Sequence, residues 1–424
     1  MELPSGDDAH SASAVTVLVL TRRSILSDIP RWLSELDGDI VVVAPPAAAS
    51  DETLAAHRRS FRDVVVVDDY DAPEVEEHIR GLARRHRVSR ILSVAEVDIL
   101  RAARTREALG LEGQDVAGAT VYRDKFEMKS RAADGGMAVA RMQVVSTAAE
   151  LHLFAKAVGY PIVVKPVDGG GSVGVAVIAG SKAAADTGAQ IESGNMGTLL
   201  AEEWIEGTPY YVDGLMRDGQ IVHSWPSRRL HPELQTVTHR CPNIGWTLHP
   251  GHPMRGSVSA FVADTVGILG SPRQVTAFHA EVFHTPDNRL VLCEIACRPG
   301  GVGIVPTYQR AFGVNLYEAT LRGQAGLPLP GLGASADPML LAGYAWIPPQ
   351  RATLRNVPRQ CTQQGVYLHS VSATPGHVYS DPHSVADHVG RILIDGPTIR
   401  PLDAQMVELE DWIRSHWSWD PAHP

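Results

Sequence analysis

Four stretches of the chain combine residue types and spacings that suit chemistry. In the first, Val163-Val164-Lys165-Pro166 runs into Asp168-Gly169-Gly170-Gly171-Ser172-Val173-Gly174, so a strand-end cation meets a run of glycines. Glycine lets backbone N–H groups converge on an anion, which suits phosphate oxygens. For a glycine cluster taken alone, a flexible hairpin tip is the better reading, and the spacing matches neither the Gly-Lys-Ser/Thr phosphate loop nor the dinucleotide fingerprint. In the second, Glu281 and Glu294 sit in apolar, strand-like runs on either side of Pro286-Asp287-Asn288, a turn signal. A hairpin there sets the two carboxylates side by side, where they raise each other's pKa unless a cation lies between them. Magnesium bridged to substrate phosphates resolves that repulsion. The alternative is a pair of solvated acids, which their apolar flanks disfavour. In the third, Arg298-Pro299-Gly300-Gly301-Val302-Gly303 offers a guanidinium that can fork onto a phosphoryl group or a carboxylate, or pair structurally with an acid. The fourth, Leu199 to Gly207 through Glu202-Glu203-Trp204-Ile205, is either an ordinary strand end or a hinge whose backbone meets a flat base while Ile205 packs on it.

These groups need a scaffold to hold them. Val15–Leu20, Ile40–Ala44, Val64–Val67 and Arg90–Val94 are continuous apolar runs separated by the helix-like Ile29–Leu36, Asp51–Phe61 and Ala72–His86. Such alternation predicts a parallel sheet covered on both faces, a doubly wound α/β domain over 15–117. Residues 1–14 are polar and aperiodic, a tail. Further on, Asp124–Gly135 predicts a helix carrying Lys125 and Lys129, and Thr147 is placed to cap a helix through Val158. Strands are expected at Met142–Val145, Pro161–Pro166, Val175–Ile178, Thr198–Ile205, Tyr210–Met216, Gln220–Ser224, Gln274–His284 and Arg289–Ile295. Arg228–Gly256, rich in proline and histidine, predicts a long irregular excursion. Helices are expected at His383–Val389 and Ala404–Arg414.

Composition narrows the partners. The 424 residues are 44% hydrophobic and carry 48 acids against 38 bases. An acidic balance argues against nucleic acid as a main partner. Without an apolar run of the ~20 residues that a span needs, a membrane is not expected either. Four scattered cysteines are no disulfide framework, so a cytoplasmic location is expected. Cys293 and Cys297, near His279 and His284, lack zinc-ligand spacing and are read as core thiols beside surface histidines. His231, His239, His249 and His252 are read as solvated loop residues, and Trp412, Trp417 and Trp419 as docking a terminal helix.

The four stretches, in this order and with Asp124-Lys125 ahead of them, resemble the ATP-grasp superfamily of carboxylate–amine ligases over about 15–396. Glu294–Gly301 is similar to the Glu-Ile-x-x-Arg-x-Gly-Gly motif of the L-amino acid ligases. The resemblance implies an ATP-grasp domain over 118–337 with a mobile lid at about 131–196, and a C-terminal α+β cap over 338–424. It implies ATP and Mg²⁺ (or Mn²⁺) as cofactors. Lys125, Lys165, Gly170, Gly171, Ser172 and the hinge Glu202, Glu203, Trp204 and Ile205 would bind the nucleotide. Glu281 and Glu294 would hold the metal, Lys165 and Arg298 would act in catalysis, and Glu96, Arg298, Gly300 and Gly301 would meet the substrate. The implied reaction is acyl phosphate formation and transfer to an amine, joining small molecules. Activation of a carboxylate for a thiol or carrier protein, carboxylation through carboxyphosphate, and a decayed nucleotide-binding regulator are the alternatives. Two departures stand out. Ala296 occupies the place of the family's metal-binding asparagine, and Gly207–Tyr210 lacks the glutamate that holds the ribose, for which Glu206 or Asp213 would substitute. A homodimer is the commonest assembly for such a chain.

Overall fold

The computed structural model describes residues 15–194, 197–329, 331 and 337–421. The expected tail, 1–14, and the last two residues of the expected lid, 195–196, lie outside the described residues. Strands β1 (Val15–Leu20), β2 (Gly38–Ala44), β3 (Asp63–Val66) and β4 (Arg90–Ser93) form a parallel sheet in the order β3-β2-β1-β4. Along β1, Val17 and Val19 pack with Ile29 and Trp32 on one face, while Leu18 and Leu20 pack with Ile79 and Leu82 on the other. Burial on both sides is why these strands are unbroken apolar runs.

A second, antiparallel sheet has the order β5-β8-β6-β7, with β5 (Met142–Val145), β6 (Ile162–Pro166), β7 (Ala176–Ile178) and β8 (Leu199–Glu203). Helices Ala148–Val158 and Ser181–Glu192 cover one face. Thr147 and Glu150 form a reciprocal capping box at the start of the first.

The third sheet has eight strands: β9 (Thr208–Arg217), β10 (Gln220–Arg229), β11 (Asn243–Thr247), β12 (Thr276–His284), β13 (Leu290–Ala296), β14 (Leu341–Ile347), β16 (Val366–Val371) and β17 (Gly390–Gly396). Their order is β13-β12-β9-β10-β11-β14-β17-β16. A short pair, β15 (Ala352–Asn356) and β18 (Ser418–Pro421), lies apart. Helices Lys125–Asp134 and Arg255–Leu269 bury Met128, Ala132, Val258 and Val262 against Val212, Phe278, Ala280 and Leu292 of the sheet. That core fixes Lys125 and Lys129 over β12 and β13. Helix Leu316–Ala325 ties this body to the N-terminal sheet: Leu321 and Ala325 join the cluster of Val17 and Val19, and Arg322 donates to the Trp32 carbonyl at 2.7 Å. Among the described residues no helix is long and apolar enough to cross a membrane.

Three expectations are corrected. Arg228–Gly256 is not an irregular excursion: β10 runs on to Arg229, and Asn243–Thr247 is a buried strand between β10 and β14. Its Asn-Ile-Gly-Trp-Thr alternates polar or small residues with apolar ones, yet all five are buried because both faces are covered. His383–Val389 is not a helix; the Asp387 carboxylate accepts from the His383 and Ser384 N–H groups, and that local bonding competes with helix formation. Ile29–Leu36 yields a helix only over Ile29–Trp32.

Phe278, on the strand that carries Glu281, is fully buried against the body helices. Phe278→Ala should cost about 3–5 kcal/mol in chemical denaturation, the range for an emptied aromatic core site.

Candidate active site

The site begins with a buried charge cluster. Asp124 caps its helix by accepting from the Phe126 and Glu127 N–H groups, which sets Lys125 at the first turn and Lys129 one turn on, on the same face. Strand β6 delivers Lys165 and its antiparallel neighbour β8 delivers Glu202; Glu202 lies opposite Val163, so it shares a face with Lys165 two residues on. The Lys165 Nζ is 2.7 Å from Glu202, and Lys129 donates to the other oxygen of the same carboxylate. Burial raises the Glu202 carboxyl, but the two lysines outweigh it and hold it at about 2. For Lys165 the sign reverses: burial alone would depress it, and Glu202 pushes it above its ordinary value. Lys129 is lowered, because burial outweighs its share of Glu202.

The glycine loop is held down over these lysines. Lys125 donates to the Gly169 carbonyl at 2.5 Å and lies 3.5 Å from Glu294. Arg123 donates to the Asp168 carbonyl at 2.7 Å, and the Val385 N–H donates to the Gly171 carbonyl at 3.1 Å. Gly171 and Ser172 both take left-handed conformations, at φ +63° and +59°. A side chain at Gly171 would also meet the Ser384 hydroxyl at 2.9 Å.

Opposite the loop, the β12–β13 register pairs Glu281 with Glu294, as the turn signal implied. The cation beside Glu281 is nevertheless the protein's own. Arg229, from the end of β10, donates to Glu281 at 2.6 Å and lies 2.5 Å from Glu233. His279 sits between Asp213 (2.9 Å) and Glu281 (3.2 Å). Glu281 is therefore not raised as expected. Burial pushes it up, but Arg229 and His279 carry it well below the carboxylate range. Burial lowers the His279 imidazole, and Asp213 and Glu281 more than reverse this, to about 9. Glu233 goes the other way: burial together with Glu281 and Glu294 overcomes Arg229 and lifts it to about 7.

Glu96 and Arg298 form the end of the site next to the glycine loop. Glu96 accepts from Arg298 and from Arg123, each at 2.5 Å. Burial raises Glu96, but the two guanidiniums hold it at about 2. The Glu96 side chain lies 3.7 Å from where a Gly170 Cβ would stand. Gly300 packs so closely that a Cβ would come within 2.7 Å of Asp213, whereas Gly301 faces open space.

Lys125, Lys165, Gly170, Gly171, Ser172, Glu202, Glu203, Trp204, Ile205, Glu281 and Glu294 thus line one cleft of about 1000 Å³. Glu96, Arg298, Gly300 and Gly301 are not among its lining residues. Phe283, Leu234, Val163 and Leu292 join Ile205 as an apolar slot. The Glu203 carboxylate is taken by Arg141 at 2.5 Å, leaving its backbone to serve the slot. Asp213 is buried against His279 and is not among the lining residues, so it is no substitute for a ribose acid; Glu206 is exposed. His279 is a buried imidazole, not a surface histidine. Cys297 is buried, Cys293 lines the cleft, and burial pushes both thiols up to about 12. Arg123, Lys129, Arg229 and Glu233 were not anticipated. Lys129 is the residue that helical spacing from Lys125 points to, whereas Arg229 and Glu233 fall in the stretch read as an irregular excursion.

Removing the shared counter-charge gives a direct test. Glu202→Gln leaves two buried ammonium groups facing a neutral amide. It should lower stability by about 3–5 kcal/mol in urea, the cost of breaking a buried pair.

Residues 123–221 match the family model described as "Carbamoyl-phosphate synthase L chain, ATP binding domain". The L-arginine-specific L-amino acid ligase of Bacillus subtilis is 26% identical over 269 residues, which is 61% of this chain and 63% of that enzyme. The match thus spans less than two thirds of that relative's length. The fold is similar to that of an L-amino acid ligase from Bacillus licheniformis, with a TM-score of 0.74 at 17% identity, covering 96% of this chain and 99% of the other. It is also similar to the biotin carboxylase domain dimer of the Hydrogenobacter thermophilus 2-oxoglutarate carboxylase, crystallised with MgADP and bicarbonate. There the TM-score is 0.66 at 16% identity, covering 95% and 90%.

Proposed function

We propose that this chain, which belongs to the ATP-grasp superfamily, is an ATP-dependent ligase joining the carboxylate of a small acid or amino acid to an amine. The observation that carries this reading is the meeting of Lys125, Lys129 and Lys165 with Glu233, Glu281 and Glu294 in a single cleft capped by a glycine loop. Lysines and loop N–H groups suit the phosphates, and the apolar slot beside Ile205 and Trp204 suits the base. Glu281, Glu294 and Glu233 form an all-oxygen donor set, the kind magnesium takes. Glu233 and Glu294 line the cleft beside Glu281, and a divalent cation would offset the repulsion among the three, so the residues present fit the metal despite Ala296. Magnesium, with manganese as a substitute, supplies charge neutralisation of the phosphates.

The protein's part is orientation, charge and exclusion of water. Lys125 and Lys165 hold the phosphates in line with the attacking carboxylate, giving an acyl phosphate and ADP. Glu96, at the far side of the glycine loop, would meet a substrate ammonium group. Arg298, freed from Glu96 by that exchange, would stabilise the oxyanion as the amine attacks the acyl carbon and phosphate leaves. The tethers on Gly169 and Gly171 keep the loop shut over the acyl phosphate, which water would otherwise hydrolyse. This ligase chemistry has support from the L-amino acid ligase of Bacillus subtilis as a relative.

The test incubates the protein with ATP, magnesium and pooled amino acids, following phosphate release together with new product masses. The expected result is ADP formation that needs both an acid and an amine, with a condensed product of matching mass. Release that depends on bicarbonate alone would move the assignment to carboxylation, and ATP binding with no turnover on any pool would make the chain a regulator. Lys165→Ala and Glu294→Ala should each reduce ADP formation to background while circular dichroism stays that of the parent. Undiminished turnover in either variant overturns the role given to that residue.

A further inference from the structure

Away from the cleft, three segments bring a second set of metal-ligating side chains together. His231 follows β10, Cys241 precedes β11, and Glu410 lies in the C-terminal helix Asp403–His416. Their ligand atoms all fall within 4.8 Å of one another. The His231 Nε2 is 2.9 Å from Glu410 Oε1, and Glu410 is buried. Arg414, one turn along the helix, donates to the same Oε1 at 2.7 Å. A cation therefore already lies against the group, but on an arginine whose side chain is 56% exposed. The guanidinium covers a buried carboxylate from the solvent side, where it can exchange with another cation.

We propose that His231, Cys241 and Glu410 form a zinc site that pins the C-terminal helix to the wall of the cleft. One nitrogen, one sulfur and one carboxylate oxygen are a set that Zn²⁺ takes, with water completing a tetrahedron, and that Mg²⁺ does not. On binding, the Cys241 thiol gives its proton to solvent, the thiolate and the Glu410 carboxylate balance the two charges of the ion, and Arg414 moves out as the displaced cation. The site acts on the cleft through the chain itself, because His231 is followed directly by Pro232, Glu233 and Leu234, all of which line it. An ion there would fix the segment whose Glu233 pairs with Arg229.

The experiment uses the full chain, stripped of metal and titrated with Co²⁺ as a spectroscopic probe, then with Zn²⁺ in competition. The expected result is one ion per chain with a thiolate-to-cobalt absorption band, displaced by zinc, and a higher melting temperature with zinc bound. Cys241→Ser should abolish the band. His231→Ala should weaken binding by at least the roughly 10–100-fold that loss of even an outer partner costs a metal site. Arg414→Ala should strengthen binding, since it removes the competing cation, and this variant opposes any general loss of fold. No thiolate band in the parent overturns the proposal. So does a band unchanged in Cys241→Ser, which would place the ion at another cysteine. Neither outcome bears on the ligase reading, which does not depend on this site.

Discussion

Lys129 and Lys165 converge on the one carboxylate of Glu202, which offsets the burial that disfavours both ammonium charges. The same condition recurs across the cleft, where Arg229 and His279 hold Glu281 ionised and Arg123 and Arg298 hold Glu96. Each cation of the site is thus stored against an anion of the site. Polyanionic ligands and cations can then be taken up by exchange of partners, without first creating bare charge in a buried place. The backbone serves this condition. Helix Lys125–Asp134 lies where it does because Met128 and Ala132 are buried in the sheet core, and that burial carries Lys129 to Glu202.

The pairing in the hairpin of β12 and β13 rests on a bulge: Val282 faces Leu292, and the extra residue Cys293 brings Glu294 opposite Glu281. A slip of one residue in either strand would turn one carboxylate into the apolar core. Strand parity places His279 on the face of Glu281, two residues before it, with Asp213 of β9 as its register partner. The histidine that sequence alone assigns to the surface is for that reason a buried imidazole held between two carboxylates.

Legibility in the sequence followed the physical signal in each element. The parallel sheet was readable because doubly buried strands are unbroken apolar runs, and the Glu281–Glu294 hairpin because Pro286-Asp287-Asn288 marks a turn between two such runs. The Lys125 helix was readable as the charged stretch Asp124–Gly135. β11 was not, since Asn243, Gly245 and Thr247 are buried by tertiary pairing that no local pattern announces. Arg229 and Glu233 flank that strand and disappeared with it. His383–Val389 failed in the opposite sense: its helix-like composition lost to the backbone bonds of Asp387. Glu96 and Arg298 each had a weak signal, and their contact across some two hundred residues is a fact of the fold alone.

The eight-stranded sheet does not stop at the boundary that composition suggests near residue 338. β14 hydrogen-bonds to β11 from Asn243 to Trp246, and β17 and β16 continue outward from it. The C-terminal portion is therefore not a module that can be cut away and exchanged. A chain ending before Leu341 would present β11 as a bare edge, with Ile244 and Trp246 stripped of their cover, and open edges of that kind recruit other chains. Shortened or chimeric versions of this protein would meet that problem as insolubility, well before any question of catalysis arose.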